Sequence, residues 1–157
     1  MAFKTVPPRD AGLDTLYNVH MPVGPKPPCT NQVADVMLVQ LCLQQTFDAR
    51  LAFDVPFPPP PRGQRIEVDG KVGPITLEAI VLFQKHVKLL GKSIRPDGIV
   101  NRAAALSAES QISHTIFTIV FLNQTLRKAI GNGRFRQLED DSITPFALKV
   151  ALAASGA

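Results

Sequence analysis

The chain has 157 residues, a net charge of +4, 45% hydrophobic residues and 19% charged residues. That length and balance describe one globular domain with a real hydrophobic core and exclude an intrinsically disordered chain. The longest apolar run, Ile116 to Leu122 interrupted by Thr118, is far too short for a bilayer, so no membrane span is expected.

Taken in chain order, Met1 to Pro8 lacks the continuous apolar core of a secretory signal. Eleven of the 14 prolines fall within residues 1–61. Proline locks φ and removes a backbone donor, so residues 1–30 are predicted to be an extended, irregular arm. Such an arm either packs along the body or orders on a partner. Cys29 lies in it, a position that allows exposure, whereas Cys42 falls on the apolar side of a helix predicted near 32–46 and reads as a small core residue. Two cysteines make no disulfide framework. Residues 52–68, with the run Phe53 to Arg62 and its prolines, cannot be helical and are predicted to form a surface loop or arm.

A helix is predicted over 74–90. Gly73 serves as its N-cap and Pro74 as its first residue. Ile75, Ala79, Leu82, Phe83, Val87 and Leu90 form one apolar stripe, Lys85 and Lys88 fall in the later turns, and Gly91 follows the end. A third helix is predicted near 114–130, with Ser113 as N-cap and Gly131 as terminator. It is apolar nearly all round its first two turns, which suits a buried helix or one covered by another protein. Asn123 within it needs a hydrogen-bond partner. Glu139-Asp140-Asp141 reads as a solvated loop leading to a last helix near 145–154, capped by Thr144 and opened by Pro145.

Two Asp-Gly turns bracket the central helix. The first is in Asp69-Gly70-Lys71-Val72-Gly73-Pro74-Ile75-Thr76, followed by Ala79-Ile80 and Phe83-Gln84; the second is in Asp97-Gly98-Ile99-Val100. Gly70 supplies a positive φ at little steric cost, and Asp69 bonds back to the local backbone. Upstream, Val36, Val39, Gln40 and Leu43 stand at the spacing of a Val-x-x-Leu-Gln-x-x-Leu helix. Over residues 31–105 this order of motifs resembles the peptidoglycan-binding-like domain family, small helical modules attached to many bacterial wall hydrolases. The resemblance implies an all-α fold, a small orthogonal helical bundle, with a proline-rich arm (1–30), the binding module (31–105) and a C-terminal helical extension (106–157). Two departures stand out. Asn101-Arg102-Ala103-Ala104 replaces the second Gly-x-x-Thr, and the proline-rich run is inserted before the first Asp-Gly.

The resemblance further implies noncatalytic binding of bacterial peptidoglycan that anchors the chain or a partner at the wall, with the cell envelope or periplasm as the site of action. Without a visible secretory signal, that leaves non-classical export or a cytoplasmic pool. The alternative is an adaptor or structural protein of a secretion-system or phage assembly. It would use the same scaffold for protein contacts through the proline-rich arms or the Ile116–Leu122 face. The ligand-binding candidates are Asp69, Gly70, Gly73, Thr76, Gln84, Asp97, Gly98 and Arg102. Backbone N–H groups from Gly73 to Thr76 are expected to serve a carboxylate or acetamido oxygen beside a helix N-terminus.

No catalytic, metal or cofactor site is expected. His20, His86 and His114 are far apart in sequence, and His86 reads as a solvated face residue. No Gly-x-Ser-x-Gly elbow, phosphate loop or recognisable Cys–His pair is present. The four glutamates, Glu67, Glu78, Glu109 and Glu139, sit in no glycosidase-like motif. From Arg62 to Arg102 eight basic residues face four acidic ones, an excess equal to the whole chain's +4. That mild surplus suits anionic wall polymers as well as it suits an ordinary soluble surface, and it lacks the density that nucleic acid requires. The chain has no Trp, and Tyr17 and Phe57, both in proline-rich segments, are the aromatic candidates for a sugar face.

Overall fold

The computed structural model describes residues 1–111 and 114–155. It is mostly helical, with strands β1 (Phe3–Thr5) and β2 (Leu16–Asn18) and helices α1 (Val33–Asp48), α2 (Pro74–Leu89), α3 (Thr118–Ile130), α4 (Asn132–Phe135) and α5 (Phe146–Ser155). The two strands form an antiparallel pair in the register Phe3↔Asn18, Lys4↔Tyr17 and Thr5↔Leu16. The helical class therefore holds, with this small sheet as the correction to an all-α expectation.

One buried cluster draws on every part of the chain: Leu16, Tyr17 and Val23, then Leu38 and Leu41 of α1, Phe83 of α2, Leu122 and Leu126 of α3, and Leu148 and Leu152 of α5. Helix α1 packs against α2, α3 and α5, which makes it the centre of the bundle. Its all-round apolar sequence matches that position.

The N-terminal arm is neither irregular throughout nor peripheral. After the strand pair it continues across the body, and Val23 exchanges two backbone hydrogen bonds with Val100 at 3.0 and 2.8 Å. Where no second strand is available, asparagine side chains take its place. Asn123 accepts from the Tyr17 N–H and donates to the Tyr17 carbonyl, both at 2.8 Å. Asn18 makes the same two-way pair with Ala103, and Asn31 with Gly24. A primary amide presents a donor and an acceptor side by side, as a peptide group does, so buried irregular backbone is satisfied without a sheet.

This packing corrects several surface expectations. Tyr17 is fully buried, its ring edge-on to Phe135, and its hydroxyl accepts from the Leu138 N–H and donates to Glu139. Phe57 is buried too, stacked on Phe83 at 5.6 Å between centroids and 4.2 Å from His86; it anchors the proline-rich loop to α2. Neither ring offers a sugar platform. His86 is buried rather than solvated, because its face of α2 is the one that loop covers. Cys29 is buried, as is Cys42, and both are free thiols. Burial pushes the Cys42 thiol up to about 12. The loop of Glu139 and Asp141 is pinned rather than solvated: Glu139 pairs with Lys4 at 2.8 Å, and Asp141 with Arg134 at 2.8 Å.

Helix α2 matches the predicted span, with Gly73 at its N-cap and Pro74 first. Helix α3 begins at Thr118, later than periodicity suggested. His114 has φ 56°, Ile116 bridges to Glu109, and Phe117 is extended, so the backbone of 114–117 is committed elsewhere. The expected cap, Ser113, lies outside the described residues. Ile119, Val120, Phe121 and Leu122 are buried by the chain itself, so of the 116–122 segment only the half-buried Ile116 and Phe117 stay open to the surface. Thr144 is buried and donates its hydroxyl to the Leu138 carbonyl at 2.7 Å.

Candidate functional site

Two buried glutamines organise the region of the Asp-Gly motifs. Gln40, on α1, donates to Asp69 Oδ1 (3.0 Å), the Lys71 carbonyl (2.9 Å) and Thr76 Oγ1 (3.2 Å). Its carbonyl oxygen accepts from the Asp69 and Gly70 N–H groups at 3.1 and 2.9 Å. Gln84, on α2, repeats the arrangement. It donates to Asp97 Oδ1 (3.3 Å), the Ile99 carbonyl (3.1 Å) and Thr118 Oγ1 (3.0 Å), and accepts from the Gly98 N–H at 2.8 Å. In each loop the aspartate also takes the N–H two residues on, Lys71 or Ile99.

The clamp explains the motif. A helix supplies the glutamine, the loop after it supplies Asp-Gly, and the start of the next helix supplies the threonine. Gly70 and Gly98 have φ 77° and 76°, and each faces the residue three before its glutamine, Met37 or Val81. A Cβ at Gly70 would stand 2.8 Å from Val33 Cγ1, and at Gly98 3.3 Å from Val81 Cγ2. Both the positive φ and the close approach call for glycine.

The sequence candidates thus fall into two groups. Gly70, Thr76, Gln84 and Gly98 are buried, and the bonds of the last three and of Gly70's N–H are directed inward. Asp69 and Asp97 are exposed while bonded to their own loops, and Gly73 is half-buried at the α2 N-cap. Arg102 is exposed and lies over the Phe3 ring, with Nη1 3.3 Å from His20 Nδ1.

The two loops differ in what surrounds them. Gln40 and Thr76 are 36 residues apart and Gln84 and Thr118 are 34, yet Asp69 follows its glutamine by 29 and Asp97 by only 13. The second unit therefore carries its extra chain between Asp-Gly and threonine. That chain includes Arg102 and Ala103, tied to the N-terminal arm, and a turned-back segment in which Ser110 N–H bonds to the Thr115 carbonyl and Phe117 N–H to the Ala108 carbonyl. Asp10 holds its base by accepting from the Ala108 N–H at 2.8 Å.

Between this segment and the second Asp-Gly loop is a cleft of about 470 Å³. Ile99, Ala104, Ile116 and Phe117 give it apolar walls, and Arg95, Asn101 and Gln111 a polar rim. The three rim residues are exposed, and among the described residues none engages Arg95 in an ion pair. Asp97 and Thr118 connect the cleft directly to the Gln84 clamp.

Sequence reasoning did not single out Gln40 or Thr118 as partners of the loops, nor Arg95, Asn101 and Gln111 as lining. A signal for the clamps was present: Val39-Gln40 and Phe83-Gln84 each place a glutamine on a buried apolar stripe, where an amide must find partners. Nothing local announces the rim, because its residues meet only through the return of the 107–117 segment.

Among the described residues no group of His, Cys, Asp and Glu is placed to hold a metal ion, and no helix is long and apolar enough to cross a membrane. The class that fold and site define is a mostly helical protein with two glutamine-clamped Asp-Gly loops. No family model, curated protein or solved structure matches the chain.

Proposed function

We propose that this protein is a noncatalytic binder of bacterial cell-wall peptidoglycan, anchoring itself or a partner at the wall and acting in the cell envelope or periplasm. The proposal includes the finer fold assignment, an orthogonal helical bundle of the peptidoglycan-binding-like type. One observation carries it: the paired Asp-Gly loops on which the sequence resemblance rests are built as equivalent clamps, and the second borders an open, polar-rimmed cleft. Of the candidate residues at the two loops, the proposed site keeps those of the second, at the cleft lined by Asp97 and Ile99. The Gln84 clamp ties Asp97, Ile99 and Thr118 together at one side of it, and Asn101, Ala104, Gln111, Ile116 and Phe117 supply other parts of its lining. Arg102 stays a flanking residue, beside Ala103 and Phe3 in a smaller adjoining recess.

Purified sacculi provide the test. The full chain is expected to sediment with them and to be released in part by salt, since exposed charges contribute and are screened. A chain that stays in the supernatant at low salt defeats the proposal.

The adaptor reading also has an observation of its own. Phe146 and Val150, one turn apart on α5, are 82% and 51% exposed, an apolar pair suited to protein contact. Under that reading Phe146→Ser abolishes partner capture, whereas under the wall reading it leaves sacculus binding intact.

A further inference from the structure

The geometry points to Arg95 as the carboxylate-binding residue of a peptide site in the cleft beside the second Asp-Gly loop, so that the wall component held there is its peptide and not its glycan. This inference rests on the wall-binding reading and names the part of the polymer the site takes.

Three features of the cleft support it. Its volume, about 470 Å³, lies in the range that encloses a small ligand, and its walls are aliphatic apart from Phe117. Among the described residues, the half-buried Phe117 is the one aromatic that lines it, and these residues offer no broad flat face on which a sugar ring could stack. Small side chains of a peptide fit aliphatic walls of this kind.

The rim supplies the polar complement. Arg95 is an exposed guanidinium with no ion pair among the described residues, and its planar fork matches a carboxylate. Among the described residues the other charged group on the cleft is Asp97, whose Oδ1 is held in the loop by the Ile99 N–H and the Gln84 amide. It lines the same cleft as Arg95 and is a tethered acceptor, suited to a ligand N–H. Asn101 and Gln111 offer amides at the edge, able to both donate to and accept from peptide groups. Arg95 takes no part in either clamp, so it can be changed without opening the fold.

The test uses the full chain and three probes: N-acetyl-D-alanyl-D-alanine, its C-terminal amide, and chitotetraose. Binding is read by backbone NMR shifts at Ile99, Asn101 and Gln111. The free acid is expected to shift these residues saturably, with the amide about tenfold weaker. Arg95→Ala is expected to weaken the acid by about tenfold and Arg95→Lys by less, since an ammonium keeps the charge without the fork. Equal binding of acid and amide, unchanged binding by Arg95→Ala, or shifts caused by chitotetraose alone would each overturn the assignment. Sacculus capture without any dipeptide binding also overturns it while leaving wall binding in place. Dipeptide binding without sacculus capture has the opposite meaning: the carboxylate site stands and the wall reading falls.

Discussion

The first clamp closes directly: after Asp69-Gly70 the chain needs only Lys71 to Gly73 before α2 begins and Thr76 meets Gln40. The second keeps the same glutamine, the same Asp-Gly and a threonine, but the chain leaves between loop and helix, binds the N-terminal arm, turns back and returns as Phe117-Thr118. A buried amide therefore specifies where two segments meet, and leaves the path between them open. The first unit closes directly, while the second, on the same frame, borders a cleft.

The equivalence of the clamps can be broken most forcefully at the glutamines. Gln40→Leu strands the Asp69 and Gly70 N–H groups and Gln84→Leu the Gly98 N–H, each together with a threonine hydroxyl, at an expected cost of about 3–5 kcal/mol in urea unfolding. If the clamps are equivalent, the two costs agree to within about 1 kcal/mol. A variant as stable as the parent would show that its amide is dispensable.

The glycines sharpen the comparison by separating strain from crowding. Gly70→Ala and Gly98→Ala share the cost of a positive φ, about 1 kcal/mol. Gly70→Ala adds a 2.8 Å approach to Val33, against 3.3 Å to Val81 for Gly98→Ala, so the first is expected to be costlier. Reversed order in thermal melts would mean that the Val33 side chain yields freely. Thr76→Val and Thr118→Val remove one acceptor each from a glutamine, and about 1 kcal/mol is expected from either.

The smallest effect lies outside the clamps. The Arg134 guanidinium bonded to Asp141, aided by the Ile143 N–H, holds the Asp141 carboxyl below its usual range. A folded value lower than the unfolded one adds stability above the unfolded pKa of about 3.9, lost as pH falls through the folded value. Asp141→Asn should flatten that acid limb of a stability–pH curve. Gln40→Leu should lower the curve while leaving the Asp141 step in place, since Gln40 bonds to none of the groups that hold Asp141.

Much of this molecule was legible from local chemistry. Gly73-Pro74 and the stripe from Ile75 to Val87 defined α2, because caps and periodicity act within one helix. The Asp-Gly turns were legible for the same reason, as was Asn123's need for a partner. What answered that need, the backbone of Tyr17, came from 106 residues away and was visible only in the fold. Proline density marked residues 1–30 as non-helical, but burial there was made possible by asparagine amides, Asn123 on α3 and Asn18 and Asn31 in or beside the arm, that stand in for a missing strand. The start of α3 moved to Thr118 because residues 114–117 bond to Ser93, Ala108 and Ser110. The cleft belongs to the same category. Sequence by itself determined α2, the Asp-Gly turns and the glutamines that had to be satisfied, since these follow from conformational preference and the cost of a buried unpaired polar group. Only the tertiary structure decided which loop each glutamine holds and that Arg95, Asn101 and Gln111 share one rim, because those contacts depend on how the chain returns.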